Sequence, residues 1–502
     1  MVFPPLMSTP SKSKPVGFVV YFIGFTAALA GLLFGLDVGV ISGAQIYIQR
    51  DLGVDDHMIE WIVSALLWGA VIGALGSGLL CNKIGRRKTI LASGILFAAG
   101  AVFCALAPTA HVLVAARFFL GLAVGMASFT APLYLAEIAP QSVRGGMISM
   151  YQLMITIGIL AAFLSDTLFS GIQSGQIATG TIATPETAQM DARYFGSWIL
   201  TIAHSNETWR LMLGMIALPA LVMFAGVLFL PESPRWLVMN GMKDKASAVF
   251  KRLHLDDAEI AAEVREIEES VRIPQKGWTL FLENAPFRRA VFLGISLQVV
   301  QQLTGINVIM YYAPRIFGMA GFESTSEQMW GTVVVGITNV LATFIAIAFV
   351  DRLGRKPIMY AGFVVMGTAL LAVGALFHSG IEQHVGLGYA AAGALLLFIV
   401  GFAMSAGPII WVICSEIYPL AGRDFGITCS TGTNWIANAI VGMSFLSMVQ
   451  GIGPGNTFLL YGALNVLFIA LFIFFVPETK GVSLEEIERN LMSGKSLRQI
   501  GR

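Results

Sequence analysis

Asn82-Lys83-Ile84-Gly85-Arg86-Arg87-Lys88 follows one long apolar run, and Asp351-Arg352-Leu353-Gly354-Arg355-Lys356-Pro357 follows another. Two further signatures repeat in the same order. Glu137, Pro140 and Arg144 return as Glu416, Pro419 and Arg423 at identical spacing, and Pro231-Glu232-Ser233-Pro234-Arg235 returns as Pro477-Glu478-Thr479-Lys480-Gly481. A chain that carries one set of charged helix ends twice is read as two similar bundles. Two bundles whose contacts form and break are the anatomy of an alternating-access carrier.

Composition places those bundles in lipid. Of 502 residues, 56% are hydrophobic and 12% charged, against about 25% charged in an ordinary soluble domain. Mean hydropathy is +0.75. A formal charge of +1 argues against nucleic acid as a partner. Cys81, Cys104, Cys414 and Cys429 sit in or beside apolar runs without metal-ligand spacing and read as small buried residues. Neither a metal site nor a cofactor is expected, and the six histidines are scattered.

Apolar segments fall near 16–43, 59–81, 89–107, 111–136, 146–168, 210–230, 287–316, 329–350, 357–378, 388–415, 425–450 and 457–476. Each is long enough for the roughly 20 residues that a spanning helix needs. The first is too long for a signal-peptide core and is read as an uncleaved membrane helix. The predicted fold class is all-α: twelve transmembrane helices in two pseudo-symmetric six-helix bundles. The expected organisation is an amino-terminal bundle over 1–230, linker helices over 231–286, a carboxy-terminal bundle over 287–476 and a tail over 477–502.

Orientation follows from the basic residues. Lys83, Arg86, Arg87 and Lys88, then Arg144, Arg352, Arg355, Lys356 and Arg423, mark cytoplasmic ends, whereas Asp51, Asp55, Asp56, Glu60, Glu323, Glu327 and Glu382 mark the other side. Both termini are then cytoplasmic. Within 231–286, Ala246, Val249, Phe250, Leu253, Ile260, Val264 and Ile267 recur at helical spacing among charges and predict short amphipathic helices. Residues 166–208 read as a long external loop, favoured as disordered, with a sequon at Asn206-Glu207-Thr208 that is common by chance.

Longer strings carry a resemblance. Pro132-Leu133-Tyr134-Leu135-Ala136-Glu137, Pro231-Glu232-Ser233-Pro234-Arg235-Trp236, Gln301-Gln302-Leu303-Thr304-Gly305-Ile306-Asn307 and Pro477-Glu478-Thr479-Lys480-Gly481 resemble the sugar porters of the major facilitator superfamily. The stretches Gly422 to Gly442 and Glu327 to Val350 are similar to bacterial galactose–proton symporters in particular. Asn82 departs from the Asp usual in the wider superfamily, and the loop 166–208 is longer than the subgroup leads one to expect. The resemblance implies a proton-coupled importer of a monosaccharide, D-galactose or D-glucose first. The alternatives are an arabinose or xylose symporter and a passive hexose facilitator. It implies the inner membrane as location and a single chain as the working unit.

A neutral sugar in a membrane calls for side chains that donate and accept without charge. Gln298, Gln301 and Gln302 share one face of the seventh helix with Gly305, whereas Asn307 is displaced. Bringing Asn307 to the same cavity needs an unwound or kinked helix, which Gly305 permits. The resemblance assigns Gln301, Gln302 and Asn307 to the sugar, with Gln152 facing them from the other half. Asn339, Asn434, Asn438, Trp411 and Trp435 complete the expected lining, and Phe402 and Tyr311 are weaker candidates. Hydrogen bonding between helices is the alternative use of such amides.

Asp37, inside the first helix, is a functional candidate by cost alone, and Arg117 in the fourth helix is its expected partner. Burial disfavours the charged carboxylate and a neighbouring arginine favours it, so a motion that parts them invites a proton. A static ion pair is the alternative. At the cytoplasmic ends, Arg86, Glu137, Arg144, Glu232 and Arg235 are expected to face Arg355, Glu416, Arg423 and Glu478 across an inner gate. Topology and helix capping alone are the alternative. No Walker sequence or catalytic cluster suggests an enzyme.

Overall fold

The structure, a computed structural model, describes residues 18–139, 144–174, 205, 207–253, 257–272, 277–381 and 385–501. The amino-terminal half contains α1 (Phe18–Leu52), α2 (Asp56–Ile84), α3 (Arg86–Ala105), α4 (Ala110–Ile138), α5 (Arg144–Gln173), α6 (Thr208–Gly214) and α7 (Ala217–Val227). Between the halves lie α8 (Pro234–Met239), α9 (Lys243–Arg252), α10 (Asp257–Arg272) and α11 (Gly277–Glu283). The carboxy-terminal half contains α12 (Ala285–Leu303), α13 (Ile306–Met319), α14 (Thr325–Leu353), α15 (Arg355–His378), α16 (Val385–Met404), α17 (Ala406–Ile417), α18 (Arg423–Ile452) and α19 (Pro454–Phe475), followed by α20 (Leu484–Met492). With α6–α7, α12–α13 and α16–α17 each counted as one span, 12 stretches among the described residues are long and apolar enough to cross a membrane.

The helix pairs repeat as the motifs do. In the first half α1 packs on α5, α2 on α4 and α3 on α7; in the second, α12 on α18, α14 on α16 and α15 on α19. The halves meet through α2 against α18 and α5 against α14, contacts that exchange with each other under the same pseudo-symmetry. Small residues make the close approaches possible. At Gly69, Gly73, Gly121 and Gly125 an added Cβ would strike the backbone of the facing helix, α4 or α2, so this interface tolerates no side chain.

Several limits differ from expectation. α1 runs on to Leu52 because Gln45 and Gln49, which read as the approach to a loop, turn their amides toward the other half. α5 continues to Gln173, so Asp166 lies within a span instead of opening the external loop. The sequon at Asn206 and residues 175–204 lie outside the described residues. The tenth apolar run divides at Ser405 into α16 and α17. Of the amphipathic residues of the linker, Ala246, Val249, Phe250, Leu253 and Ile260 are buried, whereas Val264 and Ile267 are half-buried.

Candidate functional site

The seventh span breaks where the amides need it to break. Gly305 adopts φ +93°, a left-handed conformation that glycine takes without a steric penalty. It separates α12, which carries Gln298, Gln301 and Gln302, from α13, which carries Asn307. The Asn307 amide donates to the Gln302 carbonyl oxygen across the break. Asn434 on α18 donates to Gln298 at 2.7 Å and to Gln301 at 2.8 Å. Gln301 in turn donates to the carbonyls of Ala406 and Gly407, at 2.8 and 3.1 Å. These carbonyls open α17, just past the division of the tenth span. Two broken spans are therefore tied together through one glutamine.

Tyr311 and Trp435, two of the other expected lining residues, make contacts of their own. Tyr311 donates to Asn438 at 3.2 Å. Trp435 lies 5.3 Å, centroid to centroid, from Phe34 of α1, so an aromatic wall spans both halves. Asn339 on α14 is buried, Trp411 on α17 is 38% exposed and Gln152 on α5 is half-buried. The arrangement offers amide donors and acceptors beside aromatic faces, with no charged group among those named. That suits a neutral polyhydroxylated ligand with an apolar ring face.

A charged pair lies in the other half. Arg117 Nη1 donates to Asp37 Oδ1 at 2.7 Å, and both side chains are buried to within 1%. Asp37 Oδ2 has no hydrogen-bond partner among the described residues. Tyr311, which donates to Asn438, is tied back to α1 by its carbonyl, which accepts from Gln45 at 2.7 Å.

The basic ends show the duplication at atomic detail. Gly85 and Gly354 adopt matching conformations (φ 97°, ψ 162° and φ 92°, ψ 161°) at the starts of α3 and α15. Arg86 grips Glu137 through two 2.9 Å bonds, and Ser233 donates to Glu137 at 2.5 Å. Arg355 reaches Glu416 at 2.9 Å, and Thr479 donates to Glu416 at 2.5 Å. Glu232 accepts from the Arg87 N–H at 3.0 Å; Glu478 accepts from those of Arg355 and Lys356 at 3.1 and 2.9 Å. Each glutamate thus caps a helix N-terminus, where negative charge is favoured.

Among the described residues no ion pair at these ends joins the two halves, and the expected pairing across an inner gate remains a proposal. These bridges close within a half, because each carboxylate lies beside the arginine of its own repeat. Arg235 is exposed, Arg423 among the described residues reaches the Tyr418 carbonyl alone, at 3.4 Å, and the Arg144 side chain lies outside the described residues.

Among the described residues, the hydrogen bonds that cross between the halves lie at the end opposite the basic motifs. Gln45 donates to the Tyr311 carbonyl at 2.7 Å, and Arg315 donates to Asp56 at 2.5 Å and Gln49 at 2.6 Å. Ser447 donates to Glu60 through its N–H and hydroxyl, at 2.8 and 2.6 Å. The sequence reading used these acids only for topology. It also missed Phe34 and Asp166, whose carboxylate accepts from the Gly43 N–H at 3.1 Å. An acid one residue inside the apolar segment 59–81 was the available signal for Glu60.

The chain matches the family model described as "Sugar (and other) transporter" over residues 23–491. It is 55% identical over 483 residues to the galactose-proton symporter of Escherichia coli K12, covering 96% of this chain and 97% of that relative. The arabinose-proton symporter of the same strain is 47% identical over 496 residues, covering 98% of each. Among solved structures, the partially occluded inward open conformation of the E. coli xylose transporter matches with TM-score 0.76 and 28% identity, covering 92% of this chain and 99% of that one. A proton:xylose symporter bound to 6-bromo-6-deoxy-D-glucose matches at 0.74 and 28%, covering 96% and 98%.

Proposed function

We infer that this chain, which belongs to the sugar (and other) transporter family, is a proton-coupled symporter that imports a monosaccharide by alternating access. D-Galactose is the first substrate, on the strength of the relative that is 55% identical over 96% of the chain, with D-glucose beside it. The protein is a multi-pass protein of the inner membrane. Its basic ends face the cytoplasm with both termini, and one chain holds the complete polar site, which supports a monomer as the working unit.

The observation that carries proton coupling is the Asp37–Arg117 pair, bonded at 2.7 Å and removed from water. A charged pair without solvent is costly unless it serves a switch. A proton on Asp37 cancels the attraction and frees α1 from α4. α1 also holds α13 through Gln45 and Tyr311, so loosening α1 changes the seating of the helix piece beside the sugar site. The proton and the sugar then act on the same moving element from separate sites.

Gln152, Gln298, Gln301, Gln302, Asn307, Asn339, Asn434 and Asn438 supply the hydrogen bonds to the sugar, and Trp411 and Trp435 supply ring contacts. Amide contacts that the protein makes with itself are exchanged for sugar hydroxyls on binding, so the site is never left unpaired. The paired charges at the basic ends brace each half as a rigid body during rocking. Proton-linked uptake of labelled galactose in competition with glucose, arabinose and xylose tests the reading. Galactose and glucose are expected to compete at the lowest concentrations; failure of every monosaccharide to compete contradicts it.

A further inference from the structure

Glu60 is a buried carboxylate that neither the sugar site nor the proton pair uses. It lies in the second turn of α2, 0% exposed, at the end away from the basic motifs. Both of its oxygens accept from the opposite half, and Oε2 also lies 3.6 Å from His57 Nδ1 of its own helix. Ser447 of α18 donates its backbone N–H to Oε1 at 2.8 Å and its hydroxyl to Oε2 at 2.6 Å. One turn nearer the helix start, Asp56 accepts from Arg315 of α13 at 2.5 Å and from Gln450 of α18 at 2.8 Å. Gln49 of α1 completes this group by donating to Asp56 at 3.0 Å and accepting from Arg315 at 2.6 Å. Asp55 supplies the N-cap that fixes the helix start, accepting from the Met58 N–H at 2.8 Å.

We propose that Glu60 and Asp56 form the latch that holds the outer mouth shut, and that they set the balance between the two facing states of the carrier. The proposal rests on the alternating-access reading above. Its physical argument is reversibility. An apolar seal at this end would expose apolar surface to water each time the mouth opened. A carboxylate gripping donors of the other half trades protein hydrogen bonds for water when it opens, and regains them on closing. A pair intended only for static stability would be served as well by apolar side chains. The donors also come from both mobile elements of the second half: α13 is the short piece beyond the Gly305 break, and α18 is the helix that carries Asn434, Trp435 and Asn438. Releasing Glu60 and Asp56 therefore frees the elements that line the sugar site.

A cavity of about 560 Å³ lined by Gln49, Asp56, Arg315, Gln328 and Gln450 lies on the outer side of the cluster, and Glu60 is not among its lining. Asp56 forms the wet edge of the latch and Glu60 its dry centre, so the Glu60 contacts weigh more in the balance.

The test uses the full chain with spin labels on cysteines at two exposed positions of the outer end, Leu106 in the first half and Ile452 in the second. Distances are measured without sugar, so the result does not depend on what the chain transports. Glu60→Gln keeps the shape but removes the charge, and Ser447→Ala removes one donor and leaves Glu60 in place. Either variant is expected to raise the ratio of long-distance to short-distance populations at least about fivefold. An unchanged ratio in both folded variants overturns the latch, even where sugar uptake proceeds as inferred. A shifted ratio in a chain that moves no sugar upholds the latch and removes the symport reading alone.

Discussion

Removing the charge of Asp37 separates coupling from transport. Asp37→Asn keeps the side-chain shape and an acceptor oxygen, but leaves Arg117 without a counter-charge at a site 1% exposed. The other bond of Arg117, from Nε to the Ile62 carbonyl, is long at 3.4 Å. A buried charge stripped of its partner costs about 3–5 kcal/mol, so the single variant is expected to yield less folded protein. Asp37→Asn combined with Arg117→Gln removes both charges and leaves two amides able to pair, which restores the yield. Neither form can take up a proton at this position. For the unaltered chain, one pH unit contributes about 1.4 kcal/mol and 100 mV about 2.3 kcal/mol per charge. Together they support accumulation of roughly several hundred-fold at about 1.4 kcal/mol per factor of ten. In proteoliposomes with both gradients imposed, the double variant is expected to bring internal galactose only to the external concentration. It should still exchange labelled for unlabelled sugar. Accumulation above about twofold by the double variant would refute the role of this pair.

Gln301→Ala and Asn307→Ala are each expected to weaken uptake at least about tenfold in protein that reaches the membrane, since a polar partner left unpaired costs about 1–3 kcal/mol. Gln301→Ala should be the worse of the two, because it also releases Asn434 and the Ala406 and Gly407 carbonyls; normal uptake by both rules the assignment out. Glu478 provides a pH test. Burial alone would push its carboxyl up, but the N–H groups of Lys356, Lys480 and Arg355, with the Arg355 charge, outweigh burial and hold it below the ordinary value of 4.5. A lowered folded value means stabilisation that is present above about pH 4.5 and lost as pH falls through the folded value. Melting temperatures of the unaltered chain and Glu478→Gln should therefore differ at neutral pH and converge on acidification; a constant difference contradicts the cap.

Much of the architecture was legible because membrane crossing leaves strong marks. Apolar length located the spans, and the repeated Gly-Arg-Arg-Lys and Gly-Arg-Lys-Pro turns announced the duplication before any coordinates. Gly305 pointed to the break in the seventh span, since Gln302 and Asn307 could share a cavity only if the helix stopped between them. The tenth run reads as one helix by apolar length, although Pro408, three residues past the division at Ser405, lacks the N–H that would continue the preceding helix. The charges at the basic ends were visible, but not their partners. Arg86 with Glu137 and Arg355 with Glu416 are contacts between distant parts of the chain, and nothing in spacing distinguishes a partner in one half from its symmetry mate. The cluster at the outer end was less legible still. Asp56, Glu60, Arg315 and Ser447 come from α2, α13 and α18, far apart in the chain, and nothing in their spacing marks them as partners. Asp166 was lost to a boundary: the small and polar residues after Phe163 resemble a loop, while packing against α1 keeps them helical.

Proteoliposomes that contain only this chain, loaded at neutral pH and placed in medium one pH unit more acidic, test the central claim most directly. The account predicts that labelled galactose accumulates about tenfold, the equivalent of about 1.4 kcal/mol for one proton per sugar. It also predicts that an uncoupler abolishes the accumulation. Internal galactose that merely equals the external concentration, with or without the uncoupler, would contradict it.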